Sequence, residues 1–108
     1  MRLRNATIAA LGALTLLLAV PNSASAATGE FRYQFGTGAD GSLLDPESGV
    51  CINLPEASET ETARAPQNLT TSTATVFLEL DCDGDTYFTM PPGKKLGDRL
   101  QLRSVVFS

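Results

Sequence analysis

The chain has 108 residues, with eight Lys or Arg against twelve Asp or Glu, two Cys, no His and no Trp. One domain is the most that this length holds. The lack of histidine excludes Ser–His and Cys–His nucleophile pairs and imidazole metal ligands. A net charge of −4 disfavours nucleic acid, whose binding rests largely on cationic contacts to phosphate.

The apolar content is concentrated at the N-terminus. Arg2 and Arg4 precede an apolar run over residues 8–20, and Pro21 and Asn22 interrupt the chain before Ala24-Ser25-Ala26. A basic start, a short apolar stretch and a small-residue A-x-A site predict a secretory signal peptide over residues 1–26. The apolar run is shorter than the ~20 residues a membrane anchor needs. Arg2 and Arg4 are not adjacent, which points to general secretion rather than a twin-arginine route. The expected product is a secreted, extracellular domain over 27–108. It would carry six bases against twelve acids, so neither nucleic acid nor an anionic membrane is an expected partner.

So small an exported domain buries a limited core and often adds a covalent link. Cys51 and Cys82 are the only cysteines, and an oxidising compartment predicts that they pair. The loop-entropy model assigns such a bond roughly 3.7 kcal/mol. There is no C-x-x-C spacing to suggest a thiolate metal site.

Beyond the leader, Phe31-Arg32-Tyr33-Gln34-Phe35 alternates like a half-buried strand, and Gly36-Thr37-Gly38-Ala39-Asp40-Gly41 reads as a turn. Val50-Cys51-Ile52-Asn53-Leu54 is a short strand candidate stopped by Pro55. Residues 56–67 carry four charges, Pro66 and no large apolar side chain, and are expected to form an exposed loop. The Thr, Val and Phe of 70–80 suit a strand. A turn over 81–85, a strand over 86–90, a Pro91-Pro92-Gly93 break and a last strand over 100–107 follow. No window has helical periodicity. The expectation is an all-β antiparallel sandwich.

Several motifs point to chemistry and are answered by context. Gly36 to Gly41 spells G-x-G-x-x-G, but Pro46 arrives too soon for the helix that a dinucleotide fingerprint requires. Asp81-Cys82-Asp83-Gly84-Asp85 resembles the start of a calcium loop. An EF-hand counted from Asp81 would need Gly at Thr86 and Glu at Pro92, and has neither. A turn with Gly84 left-handed accounts for the run, with weak calcium binding through Asp81, Asp83 and Asp85 left as the competing reading. Asn68-Leu69-Thr70 is an N-glycosylation sequon, silent if the alanine-rich leader is bacterial. Lys94 and Lys95 are turn lysines. No catalytic residue, metal ligand or cofactor site is assigned.

Thr75-Val76-Phe77-Leu78-Glu79-Leu80-Asp81-Cys82-Asp83-Gly84 places an aromatic residue seven positions before glycine, and the chain continues through Pro92-Gly93 to Leu102-Arg103-Ser104-Val105-Val106. This order resembles a Greek-key motif of the βγ-crystallin superfamily, with an aromatic corner at Phe77, a folded hairpin at Gly84 and a late serine at Ser104. Phe31 to Gly38 repeats the spacing. With Asn68-Leu69-Thr70 and the closing Val105-Val106-Phe107-Ser108, the chain is similar to small exported actinobacterial proteins, among them the streptomycete metalloproteinase-inhibitor and killer-toxin-like families. The resemblance implies a two-Greek-key, βγ-crystallin-like sandwich. It does not carry that superfamily's calcium site: with Ser104 as its last serine, Arg103 and Arg99-Leu100 stand where the ligands belong.

The function expected is therefore that of a small, secreted, non-enzymatic binding protein of peptidase-inhibitor type. Its partner would be an extracellular peptidase or another protein, and the 56–67 loop the candidate contact segment. A structural or antimicrobial extracellular protein is the alternative class. A monomer is expected.

Overall fold

A computed structural model describes residues 26–108; the leader expected over 1–26 lies, but for Ala26, outside the described residues. Among the described residues eight strands run in chain order: β1 Gly29–Phe35, β2 Ala39–Leu44, β3 Ile52–Asn53, β4 Ala63–Thr70, β5 Ala74–Phe77, β6 Tyr87–Met90, β7 Gln101–Leu102 and β8 Ser104–Phe107. One 3₁₀ turn, Leu80–Cys82, interrupts the path between β5 and β6. Every pairing of strands is antiparallel. The described residues are all-β with antiparallel sheets, as the sequence leads one to expect of a sandwich.

The strands make two four-stranded sheets, ordered β2-β1-β4-β7 and β3-β8-β5-β6. Among the described residues, β1–β4 and β5–β8 follow one path. In each, a hairpin is followed by a short strand that crosses to the opposite sheet, and the fourth strand returns beside the first. Each half thus lends its third strand to the other's sheet, and neither sheet is complete without both.

The core lies between the sheets. Phe31, Tyr33, Ala63 and Leu102 from one side meet Val76, Met90, Val105 and Phe107 from the other, with Leu54 beside them. Phe31 and Phe107 touch edge to face across the layers, ring centres 5.5 Å apart. Burying each of the large side chains contributes ~1.5–3 kcal/mol. The alternation of β1 produces this directly, since Phe31 and Tyr33 point inward while Arg32 is exposed.

Two strands lie where the sequence suggests turn or loop. The glycine-rich segment after β1 contains only a short turn, and Ala39–Leu44 pairs with β1 along its length. Gly41 is required there: a Cβ would overlap the Tyr33 ring, which lies over its backbone. The expected 56–67 loop is likewise shorter, because Ala63–Thr70 is a strand between β1 and β7. Proline in an inner strand is tolerated here because of a bulge. Arg32 faces Gln67 but Gln34 faces Arg64, so β4 holds one extra residue opposite Tyr33. Ala65 takes up the slack with φ +54°. The bulge resets the alternation, allowing both Ala63 and Pro66 to face the core, and the missing proline N–H falls where the ladder is already broken.

Candidate functional site

The loop that remains between β3 and β4, residues 54–62, is short and closely held. Ala57 N–H donates to Leu54 O (3.0 Å), and Ser58 and Glu61 exchange backbone hydrogen bonds at 3.0 and 3.3 Å. Residues 58–61 thus form a closed tip whose four side chains are exposed. The Ser58 hydroxyl accepts from Thr60 N–H at 3.2 Å.

Its base is fixed from two directions. Tyr33, 2% exposed, donates its hydroxyl to Glu56 Oε1 at 2.6 Å. Burial, and then the hydrogen bond and charge of Glu56, push the Tyr33 phenol well above its ordinary range. On the other side, the Arg103 guanidinium donates to Ser58 O at 2.7 Å, to Glu59 O at 3.2 Å and to Leu78 O at 3.1 Å. The Arg103 backbone bonds Phe77 O through its N–H (2.8 Å) and accepts from Leu54 N–H (3.0 Å). One residue therefore joins the loop tip, the end of β5 and the start of the loop.

Beside Arg103 opens a cleft of about 480 Å³ lined by Glu59, Glu79, Leu80, Asp81, Asp83, Gly84 and Arg103. Its far wall is the turn that follows β5. Ser104, fully buried, donates its hydroxyl to Glu79 O at 2.6 Å and accepts from Cys82 N–H at 2.8 Å. Asn53 binds Asp81 twice. Gly84 lies in the left-handed region at φ +83°, as the sequence suggests. Cys51 and Cys82 form a disulfide with Cα atoms 5.9 Å apart, joining the chain just before β3 to this same turn.

The acidic residues of the turn face separate tasks. Asp81 Oδ1 accepts from Asn53, and Asp83 Oδ1 accepts from Gly84 N–H at 2.9 Å. Among the described residues, Asp81, Asp83 and Asp85 do not converge with one another or with further carboxylates into a group that could hold a metal ion.

Asn68 of the sequon is a core residue with no exposed surface. Its amide donates to Ser72 O and Met90 O, both at 2.8 Å, and its Oδ1 accepts from the Thr70 backbone (3.1 Å) and hydroxyl (2.7 Å). The Asn-x-Thr spacing is used internally, to close the turn between β4 and β5.

The sequence picks out Cys51, Cys82, Ser104 and the loop, and the fold brings them to one end of the sandwich. It does not pick out Arg103, Asn53, Tyr33 or Glu56 as the loop's supports. The one available signal for Arg103 is its place directly before Ser104, at the head of the last strand. Comparison of the chain with family models, with curated proteins and with solved structures finds no match to any of them.

Proposed function

We propose that this chain is a small exported binding protein with a βγ-crystallin-like fold of two Greek keys. It presents the 58–61 tip to an extracellular protein partner, in the manner of a peptidase inhibitor, and performs no chemistry of its own. The Greek-key reading is supported by the repeated strand path of the two halves. It is supported also by Ser104 and Gly84, the late serine and hairpin glycine, which meet the same turn.

The binding reading rests on one observation, the hold of Arg103 on the loop. Its bonds to the carbonyls of Ser58 and Glu59 fix the backbone while leaving the side chains of 58–61 exposed. A loop ordered before contact forfeits little entropy on binding. Glu59 and Glu61 on the tip suit a partner with a basic groove, by charge complementarity.

The test is inhibition of a panel of metallo- and serine peptidases by the purified protein. Inhibition should be lost when residues 57–61 are replaced by a short glycine linker. No inhibition across the panel overturns the inhibitor reading. A Tm that rises with calcium, with no effect on any peptidase, would favour an extracellular structural role instead.

A further inference from the structure

The free edges of the two sheets differ in how they are guarded. β2 carries Asp40, β3 is two residues long and followed by Pro55, and β7 is two residues long between Arg99 and Arg103. Short strands, charges and proline are the usual means of blunting an edge. β6, Tyr87-Phe88-Thr89-Met90, ends the sheet beyond β5; it is flanked by Asp85 and Pro91, but it is twice the length of β3 or β7 and no charge or proline falls within its span. All residues of 83–89 are exposed, including Tyr87 at 55% and Phe88 at 49%.

The ladder fixes which backbone groups of β6 point outward. Leu78 N–H donates to Thr86 O (3.1 Å), and Phe77 faces Tyr87 in the next pair. Bonded and non-bonded pairs alternate along an antiparallel ladder. Phe88 therefore turns its amide and carbonyl toward β5, whereas Tyr87 and Thr89 turn theirs to the open edge. The Phe88 ring lines an open notch of about 410 Å³ with Leu78, Thr86, Arg99, Leu100 and Gln101.

We propose that β6 is a self-pairing edge, through which two copies of this chain associate antiparallel about a two-fold axis at Phe88. That register places Tyr87 of each copy opposite Thr89 of the other, so every outward amide and carbonyl of the pair is used reciprocally. Pro91, which has no N–H, falls beyond them and ends the new ladder. The two Phe88 residues meet as the closer, non-bonded pair, each ring covering the apolar notch of the other copy.

Charge selects the second copy as occupant. Asp83 and Asp85 precede β6, and Lys94 stands just beyond it in the turn where its N–H donates to Pro91 O at 3.0 Å, whereas Lys95 has already crossed to bridge Gln67 of β4 in the other sheet. Antiparallel self-pairing brings the acidic end of each strand toward the basic end of the other. A parallel arrangement would set like charges together. The inference is independent of the loop's partner, and it proposes a dimer where the sequence reading expects a monomer.

Sedimentation velocity on the purified protein over a wide dilution series tests it. A dimer should form at high concentration, dissociate on dilution and weaken in high salt. Amide exchange at Tyr87 and Thr89 should slow as concentration rises. Phe88→Lys sets two cations face to face, and should raise the dimer dissociation constant by more than about tenfold. Thr89→Pro removes an outward donor and should act likewise. If that variant does not fold, Phe88→Lys and the wild-type exchange data carry the test. A monomer at every concentration overturns the proposal. So does a dimer whose Tyr87 and Thr89 amides exchange at a rate independent of concentration, or a folded Phe88→Lys variant that dimerises like the parent.

Discussion

Asn53 and Asp81, 28 positions apart, hold each other through two hydrogen bonds: Asn53 Nδ2 donates to Asp81 Oδ1 at 2.9 Å, and Asp81 N–H donates to Asn53 Oδ1 at 2.7 Å. The pair lies beside the Cys51–Cys82 disulfide and duplicates its work. Asp81 and Cys82 both occupy the left-handed region, at φ +63° and +52°, which costs non-glycine residues of order 1–3 kcal/mol each. The turn keeps this shape because Cys51, Asn53 and Ser104 each bind it from a different strand or loop.

Removing the disulfide by the double change Cys51→Ala and Cys82→Ala should lower unfolding free energy by up to roughly 3.7 kcal/mol. The midpoint of urea unfolding measures this. The Asn53–Asp81 pair keeps the folded turn in place, so the reduced protein should still fold. Adding Asn53→Ala to it should cost about 1 kcal/mol more, the usual net value of such a bond.

Arg103→Lys keeps the charge but not the fork that reaches three carbonyls. Amide exchange at Ala57, Ser58 and Glu61 should quicken, while exchange in β1 and β5 stays near that of the parent. Unchanged protection of those three amides would show that Arg103 does not order the loop.

Stability should fall as pH rises past ~10, the ordinary tyrosine range. The sign follows from Tyr33, whose phenol is held above that range by burial and by Glu56. Between the unfolded and folded values the unfolded chain releases a proton that the folded chain retains, and this favours unfolding. Below the ordinary value the contribution is constant. Tyr33→Phe should flatten the alkaline slope in chemical denaturation, at a cost near neutral pH of about 1 kcal/mol for the lost bond to Glu56.

Asn68→Ala should be among the most damaging polar substitutions. It leaves the buried Thr70 N–H without an acceptor and takes one donor each from Ser72 O, which keeps the Thr70 hydroxyl, and from Met90 O, a loss of roughly 2–4 kcal/mol. Expressed in a glycosylating host, folded secreted protein should carry no sugar on Asn68, as mass spectrometry can read. A folded glycoform at that position would contradict its burial.

How much of this was legible in the sequence depends on what carries each element. The 31–35 strand, with its large alternating side chains, announces itself through periodicity, whereas β6 shows no alternation and is marked by its aromatic and threonine content between turns. β2 has neither signal, because its glycine and small polar residues serve to admit the Tyr33 ring rather than to fill space. β4 is hidden by Pro66 and by the bulge at Ala65, which breaks the alternation that would have marked it. The disulfide follows from count and compartment alone. Arg103 and Asn53 were not legible, since each acts on backbone groups of a distant segment and nothing local distinguishes it from a solvated side chain.

The binding account turns on the braced tip, and inhibition titrations with the parent, Arg103→Lys and the 57–61 replacement measured side by side test it most directly. The account predicts that the parent inhibits at least one peptidase, that Arg103→Lys weakens the inhibition through a slower association or a faster release, and that the loop replacement abolishes it in a protein with an unchanged circular dichroism spectrum. Inhibition that survives loop replacement undiminished, or none by the parent against any peptidase of the panel, would contradict it.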